Sequence, residues 1–101
     1  CFMINDYEAG QLQTAAQLYS PESGRLLEVL TTQPAVQIYT GNWLEGCPAG
    51  KCGRGYHDYE GVAIECQHCP DSPNKPDYPT TVLCPGETFS EAIIWAFSVR
   101  K

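Results

Sequence analysis

The sequence predicts an all-β, antiparallel fold that is consistent with a β-sandwich. The clearest signal is the segment from Thr88 to Val99, where large apolar residues recur with the period of two that a strand requires; one predicted face holds Phe89, Ile93, Trp95, Phe97 and Val99. A second signal is the apolar run that starts at Gly61 and ends near Gln67. A third is the lack of any convincing helical periodicity, which leaves short strands joined by turns.

The other elements follow from the same patterning. The further predicted strands, in chain order, are Gln11 to Tyr19, Arg25 to Thr32 and Ala35 to Thr40. A turn at Ser20–Gly24 separates the first two, and Gln33-Pro34 separates the last two, because Pro and Gly interrupt ladders. The Gly-rich stretch from Trp43 to Tyr59 is predicted to be a loop. We therefore expect residues 1–101 to form a single β-structured segment.

Composition limits the possible partners. The chain has 101 residues, 43% hydrophobic and 18% charged, which is typical of a globular domain rather than a disordered one. Its net charge of -6 argues against binding to nucleic acid or to an anionic membrane, because phosphates are held by Lys and Arg clusters. No apolar run approaches the roughly 20 residues that span a bilayer. A start at Cys1 rather than Met predicts a fragment or a processed chain.

One carboxylate stands out as a possible general base. Alternation along the Gly61–Gln67 run places Glu65 on the face opposite Ile64 and Cys66, at the end of a strand. A loop with four prolines follows within a few residues, and a rigid setting of this kind holds a base within reach of the proton that it removes. The ordinary alternative is an exposed Glu on the solvent face of a strand.

Four segments carry a family resemblance. The first begins at the same carboxylate and reads Glu65-x-Gln67-x-x-Pro70-Asp71-Ser72-x-Asn74-x-Pro76-x-Tyr78-Pro79. The others are Ser23 to Pro34, Val36 to Asn42 and Leu83-x-Pro85-Gly86-Glu87. Together they resemble the C-terminal part of the aldose 1-epimerases, the galactose mutarotases, over about Gly24 to Val99. Three positions depart from the family pattern, namely Ala35, Cys66 and Cys84, and none of these removes a functional side chain.

The resemblance implies a fold and a reaction. The fold is the C-terminal portion of a galactose mutarotase-like supersandwich, with the upstream part of the polypeptide absent from this chain. The reaction interconverts the α and β anomers of free hexoses such as galactose and glucose. It needs a base at the anomeric hydroxyl and an acid at the ring oxygen, and it needs neither a metal nor another cofactor.

The resemblance also assigns roles. Glu65 corresponds to the catalytic base, and Gln37 corresponds to a residue that hydrogen-bonds sugar hydroxyls, for which an amide is suited because it both donates and accepts. We expect the two side chains to converge on one concave, sugar-sized pocket. The family acid comes from upstream of Cys1, where the pattern predicts an Asp-His pair. His57 and His68 do not align with the acid and are expected to be structural or exposed, so the chain carries half a site.

Aromatic side chains offer a platform on which a sugar ring can stack. Trp95 lies in the apolar stripe of the last strand and is expected in the core. Trp43 follows Gly41-Asn42 and is the aromatic residue that we place near the pocket.

Two other functions fit parts of the sequence. The spacing Cys47-x4-Cys52-x13-Cys66-x2-Cys69 resembles a four-thiolate zinc site in a structural module, although the second pair lies inside the epimerase motif. A mutarotase-like sandwich that lacks catalytic groups would be a non-catalytic carbohydrate-binding module. The six cysteines also permit disulfides in a secreted protein, whereas a cytoplasmic location with free thiols is the location that we expect.

Overall fold

A computed structural model describes residues 1–100. Within that range the chain forms six strands, which in order are β1 (Phe2–Met3), β2 (Gln13–Tyr19), β3 (Arg25–Thr31), β4 (Ala35–Tyr39), β5 (Ala63–Gln67) and β6 (Ile93–Val99). A single 3₁₀ turn, Ser72–Asn74, lies between β5 and β6 in this part of the chain. The predicted all-β class is therefore confirmed. No helical segment among these residues has the length and apolar character needed to cross a bilayer.

The strands form two antiparallel sheets of three strands each. Sheet A has the order β1-β4-β5, and sheet B has the order β2-β3-β6. The β2–β3 hairpin turns where the sequence predicts it, and Gly24 takes a φ of +71° while its N–H donates to the Ser20 carbonyl at 2.8 Å. A residue with φ > 0 is most easily a glycine, which explains why the turn ends there.

A buried corner joins the two sheets. The chain leaves β3 at Thr31 and enters β4 at Ala35, and both residues have 1% or less of their surface exposed. The Thr31 hydroxyl donates to the Ala92 carbonyl at 2.9 Å and accepts from the Gln33 N–H at 3.1 Å. The side chain of Cys66 on β5 lies close to that of Thr31. These contacts show that the face of sheet A bearing Cys66 meets the face of sheet B bearing Thr31.

The inner face of sheet B extends beyond the strands that cover it. Trp95 pairs with buried Val29, and Phe97 pairs with Leu27, so both aromatics share the face of Thr31. Even so, Trp95 is 50% exposed and Phe97 is 74% exposed. The expectation that Trp95 is a core residue is therefore wrong for this chain. The reason is geometric, because β6 is an edge strand of sheet B and, within residues 1–100, no strand of sheet A pairs with it or packs extensively against it.

The predicted element boundaries shift at several points. The last strand starts at Ile93 rather than Thr88, which leaves Phe89 outside it. The cause lies at the corner, where the Ala92 N–H donates to the Thr32 hydroxyl and the Thr32 N–H donates to the Ala92 carbonyl, so that pairing begins only after Ala92. The short strand β1 and the 3₁₀ turn were not predicted, because two or three residues give no periodic signal.

Candidate functional site

Glu65 and Gln37 are directly opposite each other in the antiparallel ladder between β4 and β5. Residues in such positions have Cβ atoms about 4.5–5.5 Å apart on one face of a sheet. The same face of the ladder also carries Ala35, Tyr39, Ala63 and Gln67, of which Ala35 is fully buried at one end. Glu65 is exposed and Gln37 is half-buried, so the carboxylate and the amide are open to a ligand on the outer face of sheet A.

The opposite face of β5 fixes the position of Glu65. Ile64 and Cys66 alternate with it and point toward sheet B, where Cys66 contacts Thr31. Burial raises the pKa of the Cys66 thiol, and the neighbouring Thr31 side chain opposes that rise only in part. Glu65 is thus attached to a strand whose inward residues are held in the core. A strand of this kind supplies the rigidity that a positioned base needs.

The proline-rich loop after β5 is shaped by its own side chains. Asp71 takes a left-handed φ of +64°, and the Asn74 side chain donates to its carboxylate at 2.5 Å. Ser72 is 6% exposed, and both its hydroxyl and its N–H donate to the Cys69 carbonyl. The polar residues of this loop therefore stabilise its own fold. The folded loop fixes the backbone that follows Glu65.

Neither of the two histidines is placed to act as the acid beside Glu65, as the sequence predicts. His68 Nδ1 is 2.9 Å from Oε1 of buried Gln33, and because a carbonyl oxygen only accepts, Nδ1 is the donor. His57 has 75% of its side chain exposed, in the Gly-rich loop, 3.8 Å from the Glu45 carboxylate. Neither ring is engaged with Glu65 or Gln37 in these contacts. The residues described here thus supply a carboxylate and an amide, with no histidine acid paired to them.

Trp43 marks one end of the outer face of sheet A. Its backbone N–H donates to the Tyr39 hydroxyl at 3.1 Å, and Tyr39 is two residues from Gln37 on the same face. The indole itself is 83% exposed. Trp43 is therefore tied to the strand that carries Gln37, with its ring uncovered.

Two cavities are found elsewhere on the molecule. The larger, about 650 Å³, lies at one end of sheet B and is lined by apolar residues of β2, β3 and β6, including Leu18, Leu27 and Phe97. The smaller, about 180 Å³, lies beside the proline-rich loop near Tyr78. Neither reaches Glu65 or Gln37, so these two cavities do not provide the concave pocket expected around that pair. The larger one reflects the uncovered inner face of sheet B.

The structure does not gather the four cysteines of the zinc alternative into one ligand group within residues 1–100. No group of three or more His, Cys, Asp or Glu side chains in residues 1–100 is arranged to hold a metal ion. All six cysteines are free thiols. Cys66 is directed between the sheets toward Thr31, whereas Cys47 and Cys52 lie in the Gly-rich loop. The positions of these cysteines therefore do not support the four-thiolate zinc site.

Comparison with known proteins identifies the family to which the chain belongs. The family profile described as "Aldose 1-epimerase" matches residues 2–95. The galactose mutarotase of Bos taurus is 46% identical over 84 residues, which are 83% of this chain and 25% of that protein. The galactose mutarotase of Rattus norvegicus is 42% identical over 92 residues, 91% of this chain and 27% of that protein.

A bacterial relative agrees. The aldose 1-epimerase of Escherichia coli (strain K12) is 39% identical over 87 residues, 84% of this chain and 25% of that protein. The chain belongs to the aldose 1-epimerase family. It spans about a quarter of the length of the curated relatives that it matches.

Proposed function

We propose that the full-length protein carrying this segment is an aldose 1-epimerase that interconverts the α and β anomers of free hexoses such as galactose and glucose. The observation that carries the proposal is the direct pairing of Glu65 with Gln37 on one outer face of sheet A. Membership of the family and the printed names of the relatives, galactose mutarotase and aldose 1-epimerase, support it.

Glu65 acts as the base in this proposal. Its carboxylate removes the proton of the anomeric hydroxyl while an acid protonates the ring oxygen, so that the bond from the anomeric carbon to the ring oxygen breaks and the open-chain aldehyde forms. Rotation of the aldehyde and ring closure on its other face give the second anomer. Gln37, beside the base, hydrogen-bonds sugar hydroxyls through its amide and holds the anomeric hydroxyl near the carboxylate.

The acid is supplied from outside this chain. His68 is occupied by Gln33, and His57 lies in an exposed loop beside Glu45, so neither is poised opposite Glu65. We place the acid in the upstream part of the polypeptide, on the far side of the sugar. The 101-residue chain alone then lacks half of the acid–base pair and should not accelerate mutarotation.

The same upstream part is the partner that covers sheet B. The relatives are about four times as long as the matched segment, and Trp95 and Phe97 expose an apolar inner face beyond the reach of sheet A. Strands added to sheet A over β6 would bury both aromatics. At about 25 cal/mol per Å² of apolar surface removed from water, two aromatic side chains make a large contribution to that association.

Polarimetry of freshly dissolved α-D-galactose tests the function. In the full-length protein, Glu65→Gln keeps the size of the side chain but removes the base, and we expect kcat to fall by about 10²–10⁴-fold. Glu28→Gln is the matched control, because Glu28 is also paired with a glutamine, Gln17, at 2.7 Å in a β ladder, but on sheet B. It should leave the rate unchanged.

Three outcomes separate the alternatives. A Glu65→Gln protein with near wild-type kcat would exclude Glu65 as the base. Turnover by the 101-residue chain alone would show that the acid lies within it. A full-length protein that binds galactose in calorimetry but does not speed mutarotation would be a non-catalytic sugar-binding module.

A further inference from the structure

Two cysteines that are far apart in sequence meet at the edge of sheet A. Cys1 and Cys69 are 68 positions apart, yet their sulfur atoms are 3.7 Å from each other. Both are free thiols, Cys1 being exposed and Cys69 half-buried. Two sulfurs at this separation are in van der Waals contact, and a covalent S–S bond of about 2.0 Å is reached by small side-chain rotations.

The two cysteines belong to segments that flank β4 on its opposite edges. Cys1 immediately precedes β1, which pairs with β4 through Phe2 and Met3. Cys69 comes two residues after β5, which pairs with β4 along its other edge. The loop after β5 therefore has to turn back toward β1 for the sulfurs to meet. Ser72 holds that turn through its hydrogen bonds to the Cys69 carbonyl.

We propose that Cys1 and Cys69 are a redox-active thiol pair that closes to a reversible disulfide on reaction with low-molecular-weight disulfides such as oxidised glutathione. One thiolate attacks the glutathione disulfide, forming a mixed disulfide and releasing one glutathione thiolate. The second cysteine then attacks the protein sulfur of that mixed disulfide and releases the other glutathione. The two protein thiols lose two electrons to the oxidant, and their two protons pass to the two released glutathione molecules.

The other cysteines are placed less well for this reaction. Cys66 completes a Cys66-x-x-Cys69 spacing, but its side chain is directed toward Thr31 between the sheets. Burial there raises the pKa of its thiol, which disfavours the reactive thiolate form. Cys47, Cys52 and Cys84 lie in loops, and in residues 1–100 none of the three is in hydrogen-bond contact with a second sulfur. Cys1 is therefore the partner that Cys69 meets.

The bond would connect β1 to the loop that carries the epimerase motif. Cys69 follows Glu65 by four residues, and β1 is a strand of only two residues. A covalent bond between them closes sheet A across β4 and limits the opening of the proline-rich loop. The proposal concerns this thiol pair and is independent of the catalytic activity.

Mass spectrometry of the full-length protein tests the pair. The protein is equilibrated with graded ratios of oxidised to reduced glutathione, its remaining thiols are alkylated, and the tryptic digest is searched for cross-linked peptides. We expect one cross-linked pair that joins the peptide containing Cys1 to the peptide of residues 55–100, with a mass lower than the sum of the two by two hydrogen atoms, and absent after treatment with dithiothreitol. Because the second peptide also contains Cys66 and Cys84, fragmentation in the mass spectrometer should place the bond at Cys69. The thermal midpoint of the oxidised protein should be higher than that of the reduced one.

Variants assign the sulfurs and control for unfolding. Cys1→Ser and Cys69→Ser should each abolish the cross-link and the thermal shift, leaving the remaining cysteine of the pair as a glutathione adduct. Cys84→Ser, a control at an exposed cysteine, should retain both. The same oxidation in concentrated urea should give mixed pairings, which shows that the folded structure selects the pair. A predominant Cys66–Cys69 bond, or glutathione adducts without any cross-link in the folded protein, would overturn the proposal.

Discussion

Gln37 lies directly across the β4–β5 ladder from Glu65, on the outer face of sheet A. A second Gln–Glu pair, Gln17 and Glu28, occupies the corresponding kind of position between β2 and β3, with a 2.7 Å hydrogen bond. The two pairs have the same side chains in the same type of ladder, but they lie on different sheets. The chain therefore contains an internal control for every substitution at the candidate site.

Gln37→Ala in the full-length protein is expected to weaken sugar binding more than it slows chemistry. Loss of neutral hydrogen bonds to hydroxyls costs about 0.5–1.5 kcal/mol each, so KM for galactose should rise by roughly 3- to 10-fold while kcat is largely kept. Gln17→Ala should change neither constant. A collapse of kcat at unchanged KM would instead mean that Gln37 orients Glu65 and does not bind the sugar.

Gly41 sits at the base of the Gly-rich loop. It has a φ of +74°, and a Cβ there would lie 2.7 Å from the Gly61 carbonyl oxygen and 2.8 Å from a methyl group of Leu44. Gly46 has a similar φ of +88° but open space around it. Gly46→Ala should cost about 1–2 kcal/mol of unfolding free energy from backbone strain alone. Gly41→Ala should cost roughly 1–3 kcal/mol more because of the clash.

Urea unfolding of the full-length protein measures both glycine variants. The informative quantity is the difference between the unfolding free energies of the two variants, because both include the same cost of backbone strain. Equal losses of stability would show that the ends of the loop separate freely and that the contact between Gly41 and Gly61 does not constrain them.

The uncovered inner face of sheet B predicts self-association of the isolated 101-residue chain. Trp95 and Phe97 are 50% and 74% exposed on adjacent inward positions of β6, an edge strand. Exposed apolar edges of this kind pair with other chains. Replacing both aromatics with lysine should lower the binding of a hydrophobic dye and reduce the light scattering of the isolated chain.

Phe89→Lys serves as the control for that experiment. Phe89 is 65% exposed but lies outside β6, so its loss should leave association almost unchanged. In the full-length protein the effect should reverse, because lysines at positions 95 and 97 would be buried and would destabilise the fold. If the isolated chain remains monomeric with wild-type aromatics, the inner face is covered in some other way.

Sequence reasoning succeeded where one residue type or a period of two decides the structure. Alternation placed Glu65 and Gln37 on strands, and the turn ending in Gly24 was located because φ > 0 favours glycine. The register that brings Gln37 opposite Glu65 is a long-range relationship that periodicity alone cannot fix. The family motif anticipated it only by analogy.

The errors have local physical causes. The strand expected from Thr88 starts later because the Thr32 side chain and backbone take up both polar groups of Ala92. The apolar stripe predicts a core position for Trp95 because it indicates which face of the strand is apolar, but it does not indicate whether that face is covered, and Trp95 is 50% exposed. The meeting of Cys1 and Cys69 depends on the turn held by Ser72, which no local pattern indicates.

The corner between β3 and β4 has a mechanical consequence. One hydroxyl, that of Thr31, connects the end of β3 to Gln33 and to Ala92 at the entry to β6, and Pro34 and Ala35 are fully enclosed just after it. Gln37 follows this enclosed junction by two residues on β4, so we expect a change in the twist of sheet B to shift its position. If β4 binds the sugar as proposed, selection of the full-length protein for altered sugar preference should accordingly yield substitutions in β3 that lie away from Gln37 and act through the orientation of β4.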